Sequence, residues 1–140
     1  MKYKIDDDKI FVKLVRGDWI NKSLTKIAED NNLTSGWISG IGAIENIELG
    51  YYDFDSKSYI KKSFDGEFEL IGYNANISLK DSEVFIHSHA TIGDINFKVF
   101  GGHLYDAKIS AAGEFLIQKG KIVINRTIDK NIGLALWEIL

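Results

Sequence analysis

The sequence predicts an α/β protein of the α+β type, with a largely antiparallel β-sheet and one main helix. Two observations carry this. Short β-branched and aromatic runs recur from Lys9 to Ile128, separated by Gly, Asn, Asp and Ser turns. Only one stretch, Trp19 to about Asn31, holds its apolar residues at helical spacing. Strands that succeed one another with so little helix between them pair antiparallel through short turns.

Lys9–Val15 is short, β-branched and apolar, and reads as a strand ended by Arg16-Gly17. Asp18 is placed to cap the helix, its carboxylate accepting free N–H groups of the first turn. Ile20, Leu24, Ile27 and Ala28 share one helical face, while Lys22, Lys26 and Glu29 fall on the wet one. Asn31-Asn32 ends the helix. Residues 36–44 follow as a strand whose glycines at 36, 40 and 42 mark close approach by another segment. Gly40-Ile41-Gly42 lacks the third glycine, the Gly-Lys-Ser/Thr ending and the following helix of a phosphate loop. Further strands are expected at 47–54, 59–63, 68–79, 83–92, 96–100, 107–111, 114–118 and 121–128. The tail from Asp129 to Leu140 reads equally as a strand or a short helix, and Asp6-Asp7-Asp8 as a solvated acidic segment.

At 140 residues the chain fits a single domain over 1–140, and 45% hydrophobic content places it among folded globular proteins. A net charge of −3 with no basic cluster offers little to nucleic acid. Without cysteine there is neither a disulfide framework nor a thiolate metal site. Residues 1–8 lack the apolar core of a signal peptide, and no apolar run approaches the roughly 20 residues of a membrane span. The expectation is a soluble cytoplasmic protein with no membrane partner.

All three histidines fall in one window, Phe85-Ile86-His87-Ser88-His89-Ala90 and then Gly101-Gly102-His103-Leu104. Along a strand, residues i and i+2 point to the same face, so His87 and His89 project side by side, roughly 6.5–7 Å apart. His103 follows two glycines that permit a sharp turn or a close backbone approach. The pattern suggests a three-histidine site for a divalent metal, first of all zinc, with an open fourth position. The alternative is a structural polar cluster. Asp94 and Glu114 are candidates to complete the site or act as a base beside it; a turn aspartate and an exposed strand glutamate are the plainer readings. Ser39 and Ser88 have no histidine–carboxylate pair that the sequence places beside them. Trp19, Trp37 and Trp137 are assigned to the core or a subunit interface.

Several segments resemble the PPC (also written PCC) domain, shared by small prokaryotic proteins and plant nuclear proteins that carry AT-hooks. They are Gly17-Asp18, the run Gly36-Trp37-Ile38-Ser39-Gly40-Ile41-Gly42-Ala43, and Leu49-Gly50-Tyr51-Tyr52. Gly66-Glu67-Phe68-Glu69-Leu70, Asn76-Ile77-Ser78, the two histidine segments and Glu114 follow in order. The resemblance implies a twisted, largely antiparallel sheet packed on the main helix, assembling as a homotrimer. It also brings the DNA-binding description often given to prokaryotic members, inherited from plant proteins whose separate AT-hook contacts DNA. This chain has no Arg-Gly-Arg-Pro hook, and Glu67 stands where the plant domains show arginine in Gly-Arg-Phe-Glu. The fold implied is similar to that of acetolactate decarboxylase, a zinc enzyme with histidine ligands, but fold alone does not carry function. Two function classes follow. One is a metal-dependent protein that binds or acts on a small molecule, of lyase or hydrolase type, with His87, His89 and His103 as ligands. The other is a trimeric binding or regulatory module whose partner is a protein, a ligand or DNA.

Overall fold

The structure is a computed structural model and describes residues 1–139. Its strands are β1 (Lys2–Asp6), β2 (Lys9–Val15), β3 (Gly36–Asp53), β4 (Ser58–Phe64), β5 (Phe68–Lys80), β6 (Glu83–Gly93), β7 (Val99–Lys119), β8 (Asn125–Ile128) and β9 (Ala135–Glu138). One helix, α1 (Ile20–Asp30), packs against β6 and β7. The expected class is the one observed: a many-stranded sheet with a single helix. Every strand pairing is antiparallel except the one between β5 and β8, at Leu79 and Asn125.

The buried face of α1 is Ile20, Leu24, Ile27 and Ala28, as the spacing predicts. Its cap differs. Asp18 does not cap the helix; its Oδ2 accepts the Val15 N–H at 3.0 Å and pairs with the Met1 amino group at 2.9 Å. The first turn is instead satisfied from across the fold, where the Asp106 carboxylate on β7 accepts the N–H groups of Asn21 (2.9 Å) and Lys22 (3.4 Å). A helix end pressed against a strand can take its acceptor from that strand.

The two long strands account for most boundary differences. The stretches expected at 36–44 and 47–54 are one strand, β3, which runs through register shifts around residues 40–49. Those at 107–111 and 114–118 likewise belong to β7, together with residues 99–100 of the run expected at 96–100. Asn96 itself lies in the turn before β7, with its N–H on Asp94. A bulge bends a strand and interrupts its alternation without ending its ladder. The acidic N-terminal segment is also more ordered than expected, because Lys2–Asp6 pairs with β2 and Asp7, at φ +52°, turns the hairpin. The strand expected at 121–128 shortens to 125–128. The tail resolves as β9, paired with β8; Leu140 lies outside the described residues.

Close approach at the β3 glycines is borne out. A Cβ at Gly40 would lie 2.1 Å from Cδ1 of buried Phe115, and one at Gly42 would lie 2.6 Å from the Ala112 carbonyl oxygen. The reward is a closed hydrogen-bonding circuit, β3 to β5 to β6 to β7 and back to β3. One core lies between this circuit and α1, with Ile38, Ile44, Tyr73, Ile92 and Ile109 among its members. Among the described residues, no helix is long and apolar enough to cross a membrane.

Candidate metal centre

The circuit sets the geometry of the histidine window. β6 presents His87 and His89 on the sheet face away from α1, while Ser88 between them points inward and is buried. Ser88 lies 2.9 Å from Asn21 Nδ2 on α1 and 3.1 Å from the Leu104 carbonyl. Asn21 also donates to the Tyr105 carbonyl (2.9 Å) and accepts the Tyr73 hydroxyl (2.8 Å). This buried network fixes the backbone beneath the histidines, and Ser88 is a structural residue of it.

Strand register supplies the third ring. His103 on β7 stands directly opposite His89 on β6, and Gly50 on β3 stands opposite His103. Ring centroids lie 5.1 Å apart for His87–His89, 5.2 Å for His87–His103 and 5.6 Å for His89–His103. One nitrogen of each ring can be chosen so that all three lie within 4.8 Å of one another. The sequence places these three residues together correctly.

Two tyrosines wall the cluster. Tyr59 on β4 and Tyr105 on β7 have their ring centroids 5.0 and 5.1 Å from that of His103. Gly50 makes room for them, since a Cβ there would meet Tyr105 at 2.8 Å and Tyr59 at 3.0 Å. Lys61 sits 3.7 Å from the Tyr105 ring centroid and is paired with Glu48 at 2.7 Å. Arg126, on β8, closes the side nearest His87. It bonds Asn76, which faces His87 across the β5–β6 pair. Tyr105 was legible in principle, being two residues from His103 on the same strand face. Tyr59, Gly50 and Arg126 come from pairings that no spacing reveals.

Electrostatics favour neutral rings. Burial, then Arg126, then His89 push His87 down to about 4, from an ordinary value of 6.5. Burial, then His87, His89, Arg126 and Lys61 push His103 down to about 4. Burial also lowers His89. A neutral imidazole offers a lone pair, which is what a metal ion requires. His103 Nδ1 is buried and has no hydrogen-bond partner. An unsatisfied buried nitrogen costs roughly 1–3 kcal/mol, and ligation through that nitrogen would remove the cost. The donor set therefore fits a metal ion.

The acidic candidates lie elsewhere. Asp94 accepts the N–H groups of Asn96 and Lys98 and shapes the turn between β6 and β7. Glu114 is exposed on β7, opposite Lys13 on one side and Ile41 on the other. It lies on the far side of β3 and β5 from the histidines of β6, roughly 14 Å away at ordinary strand spacing. Within one chain, Glu114 does not join them.

The model of the Plants and Prokaryotes Conserved (PCC) domain matches residues 1–121. The chain belongs to the PCC family. A crystal structure from Bacteroides thetaiotaomicron, provisionally described as a DNA-binding protein, is 31% identical with a TM-score of 0.95, covering 98% of this chain and 96% of its own. The plant- and prokaryote-conserved protein of Pyrococcus horikoshii is 31% identical (TM-score 0.88; 99% and 96% covered). A protein of Archaeoglobus fulgidus described as metal-containing is 29% identical (TM-score 0.87; 99% and 97% covered). No curated protein matches the chain at a significant level. The resemblance seen in the sequence is thus the family of this PCC protein, and its fold is theirs.

Proposed function

We propose that this PCC protein is a homotrimer whose chains each hold one divalent cation, zinc first, on His87, His89 and His103, and that it binds or acts on a small molecule there. The observation that carries the reading is the convergence of three imidazoles, one ligand atom of each within 4.8 Å of the others, together with a buried His103 Nδ1 that lacks a partner. The metal-containing description of the Archaeoglobus relative supports it. Three neutral ligands and an open position suit zinc, which in such a setting acts as a Lewis acid and lowers the pKa of bound water to about 7. The residues of this chain orient and shield: Tyr59 and Tyr105 restrict approach, and the Asn21 network holds β6 and β7 in register.

Metal analysis of protein purified without a histidine tag tests this. The expected result is about one zinc per chain, falling to a small fraction in His103→Ala and in His87→Ala with the fold retained. Equal metal content in wild type and the triple His→Ala variant would overturn it.

A second reading, DNA binding, is favoured by the description of the Bacteroides relative. The net charge of −3 works against it, because non-specific affinity comes from neutralising phosphates with Lys and Arg. Duplex binding at physiological salt should be weaker than about 1 μM. Tighter binding would favour this alternative.

A further inference from the structure

The hairpin of β8 and β9 lies beyond the residues matched by the family model, yet it supplies the charged wall of the centre. Arg126 is half-buried and held from three directions. Its Nε–H donates to Ser78 Oγ (2.8 Å), Nη1 to the Ala135 carbonyl (2.7 Å) and Nη2 to Asn76 Oδ1 (2.8 Å). Trp137 Nε1 also donates to Asn76 Oδ1, at 3.2 Å. The guanidinium carbon lies 5.1 Å from the Phe85 ring centroid. Ser78 and Asn76 are the cross-strand partners of Phe85 and His87, so the guanidinium sits on the histidine face of the sheet.

Those three bonds use one N–H on each nitrogen, and a guanidinium has five. Among the described residues no carboxylate lies within 4.0 Å of Arg126. None joins the histidine cluster either. Among the described residues, the charged groups that act on His87 and His103 are thus Arg126, which has no carboxylate partner, and Lys61, which is paired with Glu48. The remaining wall is phenolic. A dication placed beside a fixed guanidinium is repelled by it, and an oxyanion between the two relieves that repulsion while accepting hydrogen bonds from the planar fork.

Resting on the metal reading above, we propose that the C-terminal hairpin makes this centre a receptor for small oxyanions, carboxylate or phosphate, held between the cation and Arg126. Arg126 is thereby a ligand-positioning residue and sets the charge class of what enters.

The test uses the full chain loaded with cobalt(II), whose visible absorption reports its ligand set, titrated with inorganic phosphate and separately with acetate at constant ionic strength. At least one anion should change the spectrum saturably, and the tighter of the two identifies the preferred source. Arg126→Gln should weaken that binding about tenfold or more, with cobalt stoichiometry unchanged. Arg126→Lys, which keeps the charge but not the three-way tether, should recover part of the affinity. If neither anion perturbs bound cobalt, or the Gln variant binds as tightly as wild type, the proposal is overturned and the metal reading stands. Equal loss in the Lys and Gln variants would overturn it too, by showing that Arg126 only tethers the hairpin. Failure of the wild-type chain to take up cobalt would instead overturn the metal reading, and this proposal with it.

Discussion

His103 is the residue on which the centre turns, because its ring is half-buried, one nitrogen lacks a partner and its charged neighbours are cations. Such a ring resists protonation in the folded chain and accepts it readily in the unfolded one. With folded values pushed down to about 4 for His87 and His103 against 6.5 ordinarily, the unfolded chain binds more protons than the folded one between those limits. Stability of the metal-free protein is therefore fully present above about pH 6.5, declines as pH falls toward 4, and gains no further loss from these groups below that. Urea midpoints measured across this window should decline in wild type and run flatter in the His87→Ala/His103→Ala variant. Parallel profiles for the two proteins would contradict the assignment. At this scale the sequence was informative wherever period-two spacing acts: His87 and His89 share a face because they are two apart. What surrounds them was hidden, because Tyr59, Gly50 and Arg126 arrive through long-range pairing.

At the scale of elements, the helix and its cap divide in the same way. The apolar spacing of α1 is local and was legible, whereas its N-terminal acceptor is Asp106, 85 residues from Asn21 in the chain. Burial raises the Asp106 carboxyl, while the N–H groups of Asn21, Ala107, Lys22 and Ile20 pull it back. Asp106→Ala should then cost about 0.5–2 kcal/mol, the range for losing a helix cap. Asp18→Ala, which removes a turn bond and a terminal ion pair, should cost less. Denaturant unfolding of the two variants decides between the caps, and the reverse order would restore Asp18 to that role. The strands teach a related lesson. β3 and β7 look like shorter pieces in the sequence because bulges break the alternation that defines a strand there, while the ladder of hydrogen bonds runs on. The β3 glycines mark close approach and not the bulges: their backbone admits Phe115 and Ala112 where a side chain would not fit.

At the scale of the whole molecule, the sheet face that carries the histidines also carries much exposed apolar surface. Phe11, Trp37 and Ile41 are 52%, 50% and 56% exposed. An apolar depression of about 1130 Å³ runs beside them, with Phe11, Ile41, Glu114 and Phe115 in its lining. Monomeric proteins rarely leave large contiguous patches of this kind open to water. The homotrimer proposed above would bury this face, so sedimentation at micromolar concentration should give about three times 15.8 kDa. Ile41→Lys places a charge in the middle of the patch, where burial against another copy is costly, and should shift the equilibrium toward monomer. A wild-type monomer would sink the trimer, and a variant that stays trimeric would move the interface elsewhere. Metal content of the same variant then locates the centre. His87, His89 and His103 converge within one chain, so a monomeric Ile41→Lys protein should keep about one cation per chain. Loss of the cation on dissociation would mean that a neighbouring copy completes the centre, and Glu114, which lines the exposed face but lies far from its own histidines, would be the first residue to substitute.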